Sequence, residues 1–148
     1  MIYGASWAQN LKGVISLGLE DEIKNAIGDH GIWKKKLKSA VDTGKIDVKI
    51  SIIKSDIQCN FGKWLHGPST TEIQKNSKHY QKVHDLHAAF HEKAAMVAQH
   101  AIAGNKVAAM KMLDVNGEYV EASATLTTAM IDWLKEEKIP AKRNKDHY

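Results

Sequence analysis

Apolar residues in this chain recur at alternating steps of four and three, which is the spacing of one face of an α-helix. Only two prolines occur in 148 residues, so long uninterrupted helices are allowed. The pattern predicts an all-α fold. The first stripe is Leu19, Ile23, Ala26, His30, Trp33, Leu37 and Ala40. The second stripe is Tyr80, His84, His87, His91, Ala94, Ala98 and Ala101.

The ends of these helices are predicted by turn-forming residues. Asp42-Thr43-Gly44 ends the first helix, and Gly104-Asn105 ends the second. Ser69 and Glu72 have the spacing of a capping box, which places the start of the second helix near them. Residues 1–18 resemble an additional helical extension, with an apolar side. That side is formed by Leu11, Val14, Ile15 and Leu17.

The last predicted helix carries two apolar stripes, which favours burial on two sides. One side would face its own chain and the other a second subunit, so we expect a homodimer. Pro140 is expected to end the helical region, with a disordered polar tail after it. One stripe is Met110, Leu113, Gly117, Val120, Ala124, Thr127, Ile131 and Leu134. The other is Met112, Tyr119, Leu126, Met130 and Trp133.

Between the first two helices, residues 45–52 alternate apolar and polar, which is a strand pattern. A single strand has no sheet to join, so we predict an extended connector packed on the helices. The alternative is pairing with its own copy across a dimer. Residues 56–66 should then form a short helix that presents Cys59 near its first turn.

Composition excludes several classes of protein. Hydrophobic residues are 43% and charged residues 26%, which is ordinary for a soluble globular chain. The net charge of +4 comes from dispersed lysines and no nucleic-acid motif accompanies it, so we expect neither nucleic acid nor membrane as a partner. No apolar run reaches the ~20 residues of a membrane span, and the start lacks the basic region of a signal peptide. One cysteine excludes an internal disulfide, and a thiol that must stay free favours the cytoplasm.

The only cysteine, Cys59, has His30 before it and His84, His87 and His91 after it. Three imidazoles and one thiolate would complete a tetrahedral Zn²⁺ shell. His87 and His91 are four apart, which places both rings on one helix face, and they occupy a buried stripe, as His30 does. Buried imidazoles need partners, and a shared cation would satisfy several together. A closed shell leaves no position for substrate, so the same residues argue against an enzyme.

Spacing does not decide which histidines bind. His84 shares the face of His87 and His91, so the pair 84/87 competes with 87/91, and the spare ring could be a supporting group. Cys59 has an alternative role as a small buried hydrophobe beside Phe61 and Trp64. As a ligand, a thiolate favours Zn²⁺ over Mg²⁺ or Ca²⁺, and a position near a helix start predicts a lowered thiol pKa.

Three sequence blocks carry a more specific signal. They are His30-x-x-Trp33, Cys59-x-Phe61-Gly62-x-Trp64-Leu65 and His87-x-x-Phe90-His91. In order and spacing they resemble the motifs of the bacterial chemoreceptor zinc-binding domain, the CZB family, over about residues 20–136. The resemblance implies a four-helix bundle, usually dimeric, that holds Zn²⁺ through His30, Cys59, His87 and His91. It leaves His84 outside the ligand set. The expected division is an extension (1–18), the zinc-binding domain (19–138) and the tail (139–148).

The residues around this site have expected roles too. Trp33, Phe61 and Trp64 are predicted to form its dry wall. Asp56, one turn before Cys59, either orients a ligand imidazole or caps a helix.

The resemblance implies a sensory or regulatory domain of bacterial signalling, of the chemotaxis or cyclic-di-GMP type. Zinc occupancy would alter helix packing and bias a chemoreceptor-type or diguanylate cyclase-type partner. The sequence contains neither a signalling hairpin nor a cyclase domain, so we expect a stand-alone domain or a piece of a larger receptor. An alternative is a redox sensor in which an oxidant such as hypochlorous acid modifies the zinc-bound Cys59.

A helical bundle that binds haem or two irons is the alternative from a different class. Di-iron bundles use Glu-x-x-His, and no histidine here has a glutamate three residues before it. His91-Glu92 begins like a zinc-protease motif, but position 95 is Ala95 rather than histidine. We therefore expect no enzyme activity.

Overall fold

The computed structural model describes residues 2–68, 70 and 72–146, with side chains described for 18–68, 70 and 74–137. Within these ranges every regular element is a helix, so the all-α prediction is confirmed. The helices are α1 (Ile2–Thr43), α2 (Ile50–Lys54), α3 (Asn60–Leu65), α4 (Glu72–Lys75), α5 (Lys78–Ile102), α6 (Lys106–Leu113) and α7 (Glu118–Asp146).

Helix α1 buries the stripe that its sequence predicts. Leu19, Ile23, Leu37 and Ala40 are buried, as is His30, while Trp33 is half-buried. The helix ends at Thr43 because Gly44 takes a φ of +72°, which favours glycine, and its N–H donates to the carbonyl oxygen of Ala40. The predicted stop is therefore confirmed. The predicted apolar side of residues 1–18 stays a prediction, because its side chains lie outside the residues whose side chains the structure describes.

Helix α5 is central and packs against α1, α2, α6 and α7. It begins at Lys78 rather than near Glu72, because Ser77 caps it by accepting a hydrogen bond from the Tyr80 N–H. The predicted capping box stays a prediction, because Ser69 lies outside the described residues. The helix ends before Gly104, at φ +78°, as predicted.

The predicted last helix is two helices, because a turn over 114–117 separates α6 from α7. Gly117 sits where a Cβ would overlap the carbonyl oxygens of Met112 and Lys111, so the chain needs glycine there to turn. One predicted stripe, from Met112 to Trp133, is buried in the chain. The other is only partly open to solvent: Met110, Ala124 and Ile131 are exposed, whereas Leu113 and Gly117 are buried.

The connector differs from its strand pattern. Residues 45–49 are irregular, and the chain then turns into α2, which buries Ile53. The extended reading is therefore wrong for residues 50–52. The alternation arose because Ile46, Val48 and Ile50 pack at intervals on the hydrophobic core without forming a strand.

The predicted short cysteine helix is present as α3, although it begins at Asn60 rather than near Asp56, and it packs mainly against α1. The Tyr80 hydroxyl donates to the carbonyl oxygen of Leu65 over 2.8 Å, and the Tyr80 ring lies 5.9 Å from Trp133 of α7. Leu65 is fully buried. The Tyr80 hydrogen bond ties the C-terminal end of α3 to α5, and the Trp64 ring of α3 lies 6.0 Å from Trp133 of α7.

Helix α7 continues through Pro140 to Asp146, so the predicted end at Pro140 is wrong. Proline has a φ that an α-helix accepts, and it costs the helix one backbone hydrogen bond and a local kink where its ring meets the preceding turn. The division of the chain at residues 18 and 138 stays a prediction. Among the described residues, no helix combines the length and the apolarity that crossing a bilayer requires.

Candidate metal centre

Three histidines from two helices meet in the protein interior. His30 lies on α1, and His87 and His91 lie one turn apart on α5. One ring nitrogen of each lies within 4.8 Å of the others, and all three residues are buried. The Nε2 atoms of His87 and His91 are 3.1 Å apart. The sequence-predicted histidines are thus brought together by the packing of α1 on α5.

Cys59 reaches this cluster from the N-terminal end of α3. It is the N-cap residue, and its Sγ accepts a hydrogen bond from the Gly62 N–H over 3.3 Å. The same Sγ lies 3.3 Å from Nε2 of His87. An N-cap residue has an extended backbone, and this directs the Cys59 side chain back over α3 towards α5.

The orientation of His91 is fixed by backbone. Its Nδ1 lies 2.8 Å from the carbonyl oxygen of Ile53 in α2. A carbonyl oxygen only accepts, so Nδ1 carries the proton and Nε2 presents a lone pair to the cluster. A histidine that binds a metal is commonly held in this way by its other ring nitrogen. His87 has no such support, because its Nδ1 forms no hydrogen bond within the described part of the chain.

Burial keeps the three imidazoles neutral. Burial, together with the neighbouring imidazoles, lowers the pKa of His30 to about 4 and that of His87 to about 2. Burial lowers the pKa of His91 as well, although its bond to Ile53 opposes this. Because a neutral imidazole carries no extra proton, these three rings could bind a cation without first losing one.

Burial raises the pKa of the Cys59 thiol, against the predicted lowering. Desolvation is the largest cause, and the hydrogen bond from the Gly62 N–H opposes it only in part. Helix α3 has six residues, so its N-terminus does not outweigh the desolvation. A bound Zn²⁺ would deprotonate the thiol, since its charge replaces the solvation that burial removes.

Aromatic rings enclose the cluster. Phe61 is buried with its ring centroid 5.2 Å from that of His87, and Trp64 lies 5.8 Å beyond it. Phe90 lies 4.3 Å from His30 and is also fully buried. Trp33 is half-buried beside the cluster, with the Lys36 ammonium 5.0 Å from its ring. These apolar rings lower the local dielectric on their side of the cluster, which strengthens any charge interaction at the centre.

Two separations between donor atoms are close to those of a tetrahedral zinc site. Zn–N and Zn–S bonds of about 2.0 and 2.3 Å imply N···N and N···S separations of about 3.3 and 3.6 Å. The observed separations are 3.1 Å between His87 and His91 and 3.3 Å between Cys59 and His87. Only one proton can lie between the two Nε2 atoms, whereas a cation would accept both lone pairs and the sulfur together. The nitrogen and sulfur atoms of this site are the soft and borderline donors that Zn²⁺ prefers.

The other predicted residues lie beside the centre. The Asp56 carboxylate pairs with His66 over 3.4 Å, and the N-cap of α3 is Cys59 rather than Asp56. His84 lies outside the three-histidine cluster, with its Nδ1 3.1 Å from Asp85. The roles of Asp56 and His84 stay predictions, as does the ligand set itself.

Two contributors were absent from the predicted site. Phe90 shares the face of His87 because it follows by three residues, so helical spacing contained a signal for it. The Ile53 carbonyl left no signal, because any residue type supplies the same backbone oxygen.

A helical domain with three buried imidazoles beside one thiol is a metal-binding domain by its donors. The family model of the chemoreceptor zinc-binding domain, CZB, matches residues 30–98, a segment that begins at His30 and contains the other three residues. The resemblance read from the three sequence blocks is confirmed over this segment. Domains of this family bind zinc and serve in sensing and signalling. No curated protein and no solved structure gave a match.

Gly62 permits the approach that places Cys59. A Cβ at this position would overlap the backbone carbonyl oxygen of Asp56 and crowd Ile57. We expect Gly62→Ala to displace the cysteine segment and weaken zinc binding at least about tenfold, which a competition titration with a chromophoric chelator would measure. Gly31→Ala is the matched control, since a Cβ there meets nothing within 4 Å. Equal affinities for the two variants would contradict this view of the segment.

Zinc binding should release about one proton per ion between pH 6.5 and 8. The imidazoles, with their lowered pKa values, have no proton to lose, whereas the thiol, with its raised pKa, must lose one. Affinity should therefore rise about tenfold per pH unit. Calorimetry in two buffers of different ionisation enthalpy counts the protons. A count near zero would exclude Cys59 as a thiolate ligand.

Proposed function

We propose that this chain is a zinc-binding sensory or regulatory domain of bacterial signalling, with Zn²⁺ held by His30, Cys59, His87 and His91. The contact of Cys59 Sγ with His87 Nε2 beside the His91 Nε2 supports this most directly. The three imidazoles are neutral because burial lowers their pKa values, whereas the Cys59 thiol must lose a proton to bind as a thiolate. Aromatic rings cover part of the cluster, and four protein ligands would leave no coordination position for a substrate.

Zinc would join three separate parts of the chain. His30 belongs to α1, Cys59 precedes α3, and His87 and His91 belong to α5, which itself packs on α7. Removing the ion would release Cys59 and leave three buried rings without their shared partner. Because α1 and α5 have apolar contacts of their own, the apo domain would stay folded with altered packing.

The output would pass through a helical surface. We propose that α1, α5, α6 and α7 act as a four-helix bundle. We further propose that the surface around the exposed side chains of Met110 on α6 and Ile131 on α7 faces a second copy of the chain. A shift of α5 relative to α7 on zinc loss would then reach the dimer interface. A chemoreceptor or a diguanylate cyclase type of partner in the cytoplasm would receive the change.

A redox role is a second candidate, and the access to Cys59 favours it. A cavity of about 360 Å³ is lined by Cys59, His30 and His91, and Cys59 is only half-buried. A small neutral oxidant such as hypochlorous acid could reach the sulfur from this side. The thiolate would lose two electrons and become a sulfenic acid, while the oxidant leaves as chloride. The sulfenic acid is a poorer ligand, so zinc would be released.

Removal of one proposed ligand should weaken zinc binding. We expect one tightly bound zinc per chain for the wild type, and affinity weakened at least about tenfold in His30→Ala, Cys59→Ala or His87→Ala. His100→Ala, in the same helix but away from the cluster, is the control. Circular dichroism would verify helix content. Unchanged tight binding in His30→Ala or Cys59→Ala would overturn the ligand assignment.

Oxidation should release zinc in proportion to modification of Cys59. The zinc-loaded protein would be treated with increasing hypochlorous acid, with released zinc read by a colorimetric chelator and oxidised residues mapped by mass spectrometry. Mapping is needed because the five methionines also oxidise. Zinc retained beside an unmodified Cys59, or zinc lost while Cys59 stays reduced, would exclude the redox role.

A further inference from the structure

A second group of metal-binding side chains lies next to the proposed zinc centre. Asp56, His66 and His84 each place one ligand atom within 4.8 Å of the other two. The Nε2 of His66 is 3.4 Å from the Asp56 carboxylate, and the rings of His66 and His84 are 4.9 Å apart in an edge-to-face arrangement. None of the three belongs to the proposed ligand set.

The chemistry of this group suits a transition metal. Nδ1 of His84 lies 3.1 Å from the carboxylate of Asp85, which can only accept, so Nδ1 carries the proton and Nε2 keeps its lone pair. A carboxylate that supports a histidine in this way is common behind metal ligands. Two imidazoles and one carboxylate favour Zn²⁺ or a similar divalent ion over Ca²⁺ or Mg²⁺.

Exposure distinguishes this group from the buried cluster. The side chains of Asp56, His66 and His84 retain 26%, 33% and 37% of their exposure. Three protein ligands at a partly solvated position leave room for water in the remaining coordination sites. A metal bound there would exchange with solvent more readily than one in the closed centre.

The three residues lie at the two ends of the cysteine segment and on the helix that carries His87. Asp56 lies three residues before Cys59, and His66 is the C-cap residue of α3, so the two bracket the cysteine segment. His84 lies on α5, three residues before His87. An ion held by all three would fasten both ends of residues 56–66 to the helix that carries His87.

We propose that Asp56, His66 and His84 form a second, exchangeable site for a divalent transition metal, which holds the cysteine segment against α5. The effect on the first centre rests on the proposed function, because it acts by keeping Cys59 near His87. The charges allow both ions, since each site supplies one anionic ligand, the thiolate of Cys59 and the carboxylate of Asp56.

Titration of the metal-free protein with Co²⁺ tests both sites separately. The first equivalent should produce a thiolate-to-cobalt charge-transfer absorption, and the second should bind without increasing it. His66→Ala and His84→Ala should weaken the second binding at least about tenfold while the charge-transfer absorption remains. Cys59→Ala should lose the absorption and keep the second binding event. His100→Ala controls for loss of any surface histidine, and circular dichroism verifies folding.

The coupling is tested by zinc release from the first centre to excess chelator, after preloading with one or two equivalents. We expect the second equivalent of Zn²⁺ to slow zinc release from the first centre of the wild type several-fold. In His66→Ala, the release rate should be the same after one equivalent as after two. A single cobalt-binding event in the wild type, or a second event unaffected in both histidine variants, would overturn the second site. An absent charge-transfer absorption would instead overturn the proposed function while leaving this site intact.

Discussion

The contact between Cys59 and His87 is the interaction on which the site depends. The three histidines already face one another because α1 packs on α5, and this packing is supported by apolar residues such as Leu37 and Val83. Cys59 has no such framework, since it lies between two short helices. Its position follows from the N-cap geometry of α3, from Gly62, and from the Tyr80–Leu65 hydrogen bond that anchors the other end.

The sequence predicted the long elements because their apolar spacing is repeated over many turns. The α1 stripe from Leu19 to Ala40, and the glycine stops at Gly44 and Gly104, appear as expected. Short segments were predicted less well, since tertiary contacts outweigh a few residues of local pattern. Residues 45–52 read as a strand but include the start of α2, and the turn at Gly117 divides a helix that periodicity alone continues.

At the candidate site, side chains were predictable and their supports were not. The convergence of His30, Cys59, His87 and His91 was expected from the three sequence blocks; the structure groups the three histidines and places Cys59 against His87. The direction of the thiol pKa was wrong, because desolvation depends on the packing of Phe61 and its neighbours, which no linear pattern reveals. His66 had no signal in spacing, since it meets Asp56 and His84 only through the fold.

The unequal rigidity of the four donors has a consequence for the order of assembly. Histidines on α1 and α5 sit on long, well-packed helices, whereas Cys59 precedes a helix too short to be stable alone. An arriving ion would meet a preformed trio of imidazoles, and the sulfur would join last. Dissociation would run in reverse, so the lifetime of the complete centre would be governed by how often one short loop opens.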